Sequence, residues 1–271
     1  MHISIRRPLA VAIALAFVPL AHAQSVPPAD KDENVTELDL VTVVGVSPVA
    51  GTDIEIAKLP YNVQSADDAA LQRSQAFDLS DFMNRNFAGV TINQAQNNPL
   101  QPDLQFRGFT ATPLLGGSEG ISVYLDGVRV NEVFGDTVNW DLIPEDAVER
   151  MSLMAGSNPV FGLNTLGGAL AMNTKSGFAF PGGEAKVTLG SFGRRSLDAE
   201  HGGHADNKDY YVATSLYDDR GWAAYNPSRI RQFFGKVGYQ SDRADLDLSL
   251  MYADNLLNGN QNVPLSTLGN P

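Results

Sequence analysis

The 271-residue sequence contains no cysteine, so neither disulfide bonds nor thiolate chemistry contributes to its fold or function. Positive charge is also scarce, because 19 lysines and arginines stand against 31 aspartates and glutamates, a formal net charge of −12. This balance argues against a nucleic-acid partner, which requires clustered basic residues. Beyond residue 24, no apolar run in the sequence reaches the roughly 20 residues that a membrane helix needs. A chain of this kind that enters a membrane does so as a β-barrel, whose backbone groups are hydrogen-bonded internally.

The N-terminus has the features of a secretion signal. Arg6 and Arg7 provide a positively charged start, residues 9–20 form an apolar core, and residues 21–23 (Ala-His-Ala) place small residues at the −3 and −1 positions of a cleavage site. We therefore expect residues 1–23 to be removed during export. The alternative is a membrane anchor, for which an apolar run of about a dozen residues is short.

Residues 24–48 form a polar linker that contains one apolar island. The first part, residues 24–36, has a Pro-Pro pair and scattered charges, which is typical of a disordered linker. The island at residues 38–44 is rich in leucine and β-branched residues. Taken alone, it predicts a short strand without a defined register.

Residues 49–180 show the mixed pattern of an α+β domain. Residues 67–85 predict two short helices with a break near Ser74. Asp78 is suited to cap the second helix, because its carboxylate can accept the free backbone amides of the first turn. The Asp-Gly pair at residues 126–127, between two apolar runs, predicts a β-hairpin with a type I′ turn.

Residues 181–271 change to strands and turns without a helical period. Apolar and polar residues alternate with a period of two, which suits a strand between lipid and a wet lumen. The turns differ in character: residues 240–244 are short and polar, whereas residues 220–228 are longer. A soluble β-sandwich alternates in the same way and is the alternative interpretation. The residues that define the predicted apolar face are Ala185, Val187, Leu189, Leu197, Ala199, Phe233, Val237, Tyr239, Leu246, Leu248, Leu250 and Tyr252.

The sequence contains only weak candidates for catalytic, cofactor-binding or metal-binding sites. The glycine-rich loop at residues 116–120 lacks the Lys-Ser/Thr that a phosphate cradle needs. His201, His204 and Asp206 are close enough in sequence for a metal set, but we place them in a solvated turn rather than on a helix face. No Ser/His/Asp group and no carboxylate pair has a supporting context. The sequence therefore predicts no catalytic residue, no cofactor and no metal, and it does not predict an enzyme.

Several short motifs occur in order behind the signal segment. Together they resemble those of the TonB-dependent receptor family, over essentially the whole chain. Each match alone is weak, but the ordered set is specific. In the family's terms they are the TonB box (residues 38–45), the plug opening Leu-Pro-Tyr-Asn-Val (59–63), a helix (78–83), a first strand (87–90), the Arg-Gly-Phe signature (106–109), the Asp-Gly turn (126–127) and Ile-Pro-Glu-Asp-Ala-Val-Glu-Arg (143–150).

The motif after Arg150 departs from the family pattern. Family members usually continue with Ile-Glu-Val and Arg-Gly-Pro, whereas residues 151–157 are Met-Ser-Leu-Met-Ala-Gly-Ser, so one acid and one arginine are missing. Residues 156–169 resemble a particular branch of the family to which we attach no substrate. The departure leaves the substrate class open but does not affect membership.

The resemblance implies an α+β plug domain followed by antiparallel strands of a transmembrane β-barrel in the bacterial outer membrane. Such plugged barrels have about 22 strands, and residues 181–271 suffice for about four or five. We therefore expect the barrel to be incomplete in this chain, as in a fragment or truncated product. The implied function is energy-coupled uptake of a scarce large substrate, most often a ferric siderophore.

Three alternatives to uptake remain open. They are a signalling receptor, a ligand-binding or adhesion module without transport, and a non-functional truncated fragment. In this family a signalling receptor carries an additional periplasmic domain ahead of the TonB box. Only about a dozen residues separate the predicted cleavage site from the box, which is far below the size of a domain.

The resemblance also implies partners and site residues. The C-terminal domain of TonB, with its inner-membrane energising complex, would bind the apolar island; outer-membrane lipid and an extracellular ligand are the other expected partners. Plug arginines of the family face barrel-wall carboxylates, and this role carries over to Arg107 and Arg150, without pairing to Glu184 or Asp198. The alternative for either one is an exposed arginine at a hairpin or helix end. The implied TonB-binding residues are Leu40, Val41, Thr42, Val43 and Val44, and the candidate substrate-facing plug loops contain Asn97, Asn98, Gln101, Ser118 and Glu119.

Overall fold

The computed structural model describes residues 45–48, 54–55, 59–241 and 243–260. The predicted TonB-binding residues, Leu40, Val41, Thr42, Val43 and Val44, lie outside this part of the chain. The helices and strands, in chain order, are β1 (Gly45–Val46), β2 (Ile54–Glu55), β3 (Val63–Asp67), α1 (Asp68–Ser74), α2 (Leu79–Asn86), β4 (Val90–Asn93), β5 (Asp103–Phe106), β6 (Phe109–Ala111), β7 (Ile121–Leu125), β8 (Val128–Arg129), β9 (Val148–Ala155), β10 (Gly168–Thr174), β11 (Gly182–Leu189), β12 (Arg195–Ala205), β13 (Lys208–Asp219), β14 (Ser228–Ser241), β15 (Ala244–Ala253) and β16 (Leu256–Leu257).

The main β-sheets of the described chain lie in two consecutive segments. In residues 59–180, the plug segment, a five-stranded sheet has the order β3-β9-β10-β7-β8, and a three-stranded sheet has the order β4-β5-β6. Strands β10 and β7 are parallel, and the other pairs of the larger sheet are antiparallel. In residues 182–257, the meander, β11 to β15 pair antiparallel in sequence order, and β16 pairs with β14. The predicted fold class, an α+β segment followed by antiparallel strands, is confirmed.

Capping residues fix the two predicted helices. The Asp67 side chain accepts a hydrogen bond from the backbone amide of Ala70 at 2.8 Å and starts α1. Gln75, with φ of 49°, ends α1 in the left-handed region. Asp78 accepts from the backbone amide of Asp81 at 2.7 Å and starts α2. Both the break between the helices and the Asp78 cap are as predicted, because a carboxylate satisfies amides that no earlier turn can reach.

The predicted type I′ hairpin forms between β7 and β8. Asp126 and Gly127 have φ values of 47° and 78°, which is the backbone that this turn requires at its two central residues. Strand β7 is buried along its whole length, so the hairpin leads directly into the core. Apolar side chains from α2, the two plug sheets and the connection between β8 and β9 form that core. They include Leu79, Phe82, Met83, Leu104, Phe106, Ile121, Val123, Trp140, Met151, Leu153, Leu170 and Met172.

The unusual motif after Arg150 lies in β9. Ser152 is only 3% exposed, and its hydroxyl lies 2.9 Å from that of Ser65 on the neighbouring strand β3. Met151 and Leu153 are buried on either side of it. A carboxylate in place of Ser152 would be buried without a cation, which is costly. The missing acid of the family motif is thus replaced by a neutral hydroxyl pair.

The meander alternates between two faces. Tyr211 and Phe234 point toward the plug segment, where they pack with Ala147 and are each 1% exposed. Leu248 and Leu250 point the other way and are 72% and 64% exposed. This confirms the predicted alternation. Strand β15 begins only three residues after the end of β14, whereas residues 220–227 form a longer connection, as expected.

The two histidines do not lie in a turn, which corrects our prediction. His201 and His204 are part of β12 and, being three residues apart, point to opposite faces of the meander. His201 stacks on Tyr210 with ring centroids 5.7 Å apart, and His204 lies 5.5 Å from Phe178. Within the described residues, no group of three or more His, Asp or Glu could hold a metal ion.

The outward face of the meander is a continuous apolar surface. No helix within the described residues is long and apolar enough to cross a membrane. The meander's exposed side chains carry the apolar surface instead, and such a large patch marks an association or lipid-contact site. Its most exposed members are Val187, Leu189, Val237, Leu246, Leu248, Leu250 and Tyr252.

We expect residues 24–271 to associate in water and to become monodisperse in detergent. The physical reason is the apolar face together with the unpaired edge of the meander. Residues 24–175, which retain the plug segment alone, should be soluble and monomeric without detergent. Size-exclusion chromatography of both chains checks this expectation. A monomeric elution of residues 24–271 without detergent would restore the soluble β-sandwich interpretation.

Candidate functional site

Lys175, directly after β10, joins the plug segment to the meander. Its ammonium group lies 3.0 Å from a carboxylate oxygen of Asp68 in α1, and 2.8 and 3.1 Å from the two oxygens of Glu200 in β12. The lysine side chain is only 3% exposed. Tyr211 supports this triad, since its hydroxyl donates to Glu200 at 2.7 Å. Burial alone would lower the pKa of Lys175, but the hydrogen bonds and charges of Glu200 and Asp68 outweigh it and raise the pKa.

Lys236 makes a second contact between the two segments, in which the meander supplies the lysine and the plug segment supplies the carboxylate. It extends from β14 of the meander, is 9% exposed, and lies 3.7 Å from Asp126 of the plug hairpin. Its ammonium group donates to the hydroxyl of Thr174 at 3.3 Å and lies 3.4 Å from Asp247. Asp126 also accepts from the backbone amide of Thr174 at 2.8 Å, so one carboxylate fixes both the hairpin and the last plug strand.

The predicted arginines occupy other positions. Arg107 is exposed in the turn between β5 and β6, with φ of 56°. Arg150 is half-buried in β9, opposite Asp67. Neither forms an ion pair within the described residues, so their pairing with wall carboxylates stays a prediction. Sequence reasoning missed Lys175 as a contact. Lys236 directly precedes Val237 of the predicted apolar face and therefore falls on the opposite face of its strand, which was the one available signal.

The loop between β4 and β5 is attached to the meander through Asn98. This side chain has no exposed surface, and it donates to the hydroxyl of Ser228 at 3.0 Å and to the carbonyl of Asn258 at 2.8 Å. Its own carbonyl oxygen accepts from the amide of Leu100 at 3.0 Å. Asn98 is therefore a fixing point of the loop, and we remove it from the substrate-facing set.

The other loop residues are more accessible. Asn97 and Gln101 are half-buried on the same loop, which meets the long connection of the meander: the Asn226 amide donates to the Asn97 carbonyl at 2.6 Å. Ser118 is exposed between β6 and β7. These three residues keep their place as candidate substrate-facing residues, together with Glu119.

Among the predicted substrate-facing residues, Glu119 has a carboxylate that is incompletely hydrogen-bonded. One carboxylate oxygen accepts from the amide of Thr112 at 3.4 Å, and the other is buried without a hydrogen-bond partner among the described residues. The hydroxyl of Thr110 is in the same condition. Burial, with a smaller contribution from Asp136 and Asp103, raises the pKa of Glu119 to about 7.

A cavity of about 530 Å³ lies between the plug helices and strands β11 to β13. Glu145 and Asp146 of the plug segment line it, opposite Asp198 and Glu200 of the meander. Burial raises the pKa of Glu145 well above its ordinary value, with Asp78 adding to the effect. Burial, followed by the charges of Asp198 and Glu200, raises the pKa of Asp146 to about 7. The cavity is thus lined by acidic side chains from both the plug segment and the meander.

Comparison with known proteins identifies the domain. Residues 55–169 match the TonB-dependent Receptor Plug Domain family. This segment contains the plug core and the hairpin described above. This match identifies residues 55–169 as a TonB-dependent receptor plug domain, and antiparallel barrel-type strands follow it. Comparison with curated protein sequences gives no match.

Solved structures of siderophore receptors share the fold. The pyoverdine outer-membrane receptor FpvA of Pseudomonas aeruginosa has a TM-score of 0.58 at 15% identity, over 78% of this chain and 30% of FpvA. The ferric preacinetobactin receptor BauA of Acinetobacter baumannii has a TM-score of 0.57 at 17% identity, over 75% and 29%. The siderophore receptor PiuA of the same organism has a TM-score of 0.56 at 18% identity, over 72% and 26%. The matched part of this chain thus spans less than a third of each structure's length.

Replacement of Asn98 tests its role as a fixing point. We expect Asn98→Ala to lower the free energy of unfolding by about 1–3 kcal/mol, because it leaves buried partners without hydrogen bonds. Denaturant unfolding of the chain in detergent measures the difference. Gln94→Ala, which truncates an exposed side chain of the same loop, is the matched control. An equal, small effect of both changes would show that the Asn98 bonds do not hold the loop.

The raised pKa of Glu119 predicts a pH-dependent stability. Because the folded chain binds this proton more tightly than the unfolded chain, the resulting stability is fully present below about pH 4.5 and is lost as pH rises through about 7. Glu119→Gln should therefore be more stable than the natural chain near pH 8 and similar to it near pH 5. Thermal unfolding across this range measures the effect. Glu132→Gln, at an exposed position of a neighbouring loop, is the control, and identical pH profiles of the two variants would contradict the assignment.

Proposed function

We propose that this chain belongs to a TonB-dependent transporter that takes up a scarce, large substrate with energy supplied through TonB. The observation that supports this most strongly is the plug domain at residues 55–169, held on the inward face of a meander whose outward face is apolar. A closed plug seated on a membrane wall is suited to gated passage. It has no evident use in an enzyme.

Outer-membrane lipid is the proposed partner of the meander's outward face. Strands of a membrane barrel alternate apolar outward and polar inward residues, and β15 does so from Asp245 to Leu250. The inward face meets the plug segment through Lys175 and Lys236. The remaining outward side chains have apolar surface that only lipid or detergent would cover.

A ferric siderophore, or a similar large chelate, is the proposed substrate. The support is the set of structural relatives: FpvA is described as bound to pyoverdine, BauA as a ferric preacinetobactin receptor, and PiuA as a siderophore receptor. Their identity to this chain, 15–18%, supports a common fold rather than a common ligand. We propose that the substrate meets the plug loops at Asn97, Gln101, Ser118 and Glu119.

The proposed TonB-binding segment is residues 40–44. A short segment rich in β-branched residues suits addition to the edge of TonB's periplasmic sheet, where backbone hydrogen bonds supply the affinity. We further propose that Arg107 and Arg150 pair with carboxylates of the barrel wall. We place these carboxylates on barrel strands of the kind that the longer solved structures contain.

Val43→Pro in the complete receptor tests energy coupling. Proline has no backbone donor, so this change should abolish energy-dependent uptake and leave substrate binding at the cell surface intact. The measurement is accumulation of a radioiron-labelled siderophore by cells, with binding scored separately in cells treated with a proton uncoupler. Val43→Ala, which keeps the backbone donor, should transport normally. Normal uptake by Val43→Pro would overturn the TonB-binding assignment, and accumulation unaffected by the uncoupler in the natural receptor would favour a binding module.

A further inference from the structure

The acidic cavity separates the plug segment from the meander, the wall of the proposed barrel, along one side. Its plug side carries Asp68, Glu145 and Asp146, and its meander side carries Glu184, Asp198 and Glu200. Carboxylates therefore face carboxylates across a space of about 530 Å³. Like charges across such a gap disfavour its closed state unless a cation lies between them.

Lys175 is the cation that bridges the two sides. Four basic residues line the cavity, but three of them form no ion pair between its sides, as far as the described residues show. Arg85 pairs with Asp81 inside α2, and Lys186 forms no ion pair. Arg194 pairs with Asp219 inside the meander and reaches the plug segment only by a cation–π contact with Phe77, 4.7 Å from the ring centroid. Lys175 alone among these four holds a plug carboxylate and a wall carboxylate with one ammonium group.

The triad also lies on the path along which a pull on the N-terminal segment would travel. Within the described residues, strand β3 is the edge of the five-stranded plug sheet and pairs with β9 alone. Helix α1 follows β3 without a connecting residue, and its first residue is Asp68. Asp68 is consequently the first residue along the chain from β3 whose side chain forms an ion pair that ties the plug segment to the wall, as far as the described residues show.

We propose that Lys175 is a latch that keeps the passage between plug and wall closed, and that the acidic cavity is the start of that passage. Movement of α1 withdraws Asp68 from the ammonium group, and the acids on the two sides are then no longer held together. The inference rests on the proposed transport function, but it concerns closure of the gap and not the identity of the substrate.

The test is the permeability of the complete receptor in an outer membrane without TonB. Cells lacking TonB express the natural receptor, Lys175→Met or Lys186→Met, and are exposed to a hydrophilic antibiotic that is too large for general porins. Lys175→Met should lower the inhibitory concentration on the order of tenfold, because it leaves two half-buried acids without a cation. Lys186→Met changes a lysine of the same cavity without removing the bridge, and it should leave permeability unchanged. Equal permeability of the two variants overturns the latch.

Charge reversal distinguishes a latch from general loss of structure. Lys175→Glu should increase permeability, and Lys175→Glu combined with Glu200→Lys should restore closure, because the new lysine at position 200 can meet both Asp68 and the new acid. Absence of restoration, with receptor present at normal abundance and protease resistance, also overturns the proposal. If Lys175→Met does not accumulate, Glu200→Gln is compared with Glu184→Gln in the same assay, and equal permeability of that pair has the same meaning.

The proposal of TonB coupling through residues 40–44 and the proposal of the Lys175 latch can be overturned independently of each other. The permeability assay contains no TonB and no siderophore, so it gives the same result whether or not residues 40–44 couple uptake. Normal uptake by Val43→Pro would overturn the coupling assignment while a permeable Lys175→Met still supported the latch. A tight Lys175→Met would overturn the latch while an inactive Val43→Pro still supported transport.

Discussion

Moving a lysine ammonium group out of water costs several kcal/mol unless oxygen atoms replace the lost water. Asp68 and Glu200 supply those oxygens to Lys175, one from each side of the contact between plug segment and meander. The same glutamate accepts from Tyr211, whose ring packs in the small apolar cluster with Phe234 and Ala147. Polar pairing and apolar packing thus support each other at one point, and the seating of the plug segment depends on both.

Local features of the fold were predictable because their causes are local. The Asp78 cap, the break after Ser74 and the Asp-Gly hairpin each depend on residues within one turn of the chain. The two faces of β14 and β15 follow from a period of two, which any register preserves. These features needed no knowledge of what lies across the interface.

The contacts between distant segments were not predictable for the opposite reason. Asn98 meets Ser228 and Asn258 across 130 and 160 residues of chain, and its type is as common in solvated loops as in buried bridges. Lys175 gave no sequence signal, because its carboxylates come from α1 and β12. The histidines were placed in a turn, whereas the pairing of β12 with β13 continues through the Gly-Gly pair between them.

The attachment of Asn98 has a mechanical consequence. The tip of the loop between β4 and β5 is hydrogen-bonded to the meander, while β4 and β5 themselves belong to a plug sheet. The loop is therefore a tether between two bodies rather than an extension of one of them. Any displacement of the plug segment relative to the meander has to be absorbed by the few residues on either side of Asn98. The length to which these residues can extend limits the displacement that is possible before the Asn98 hydrogen bonds break.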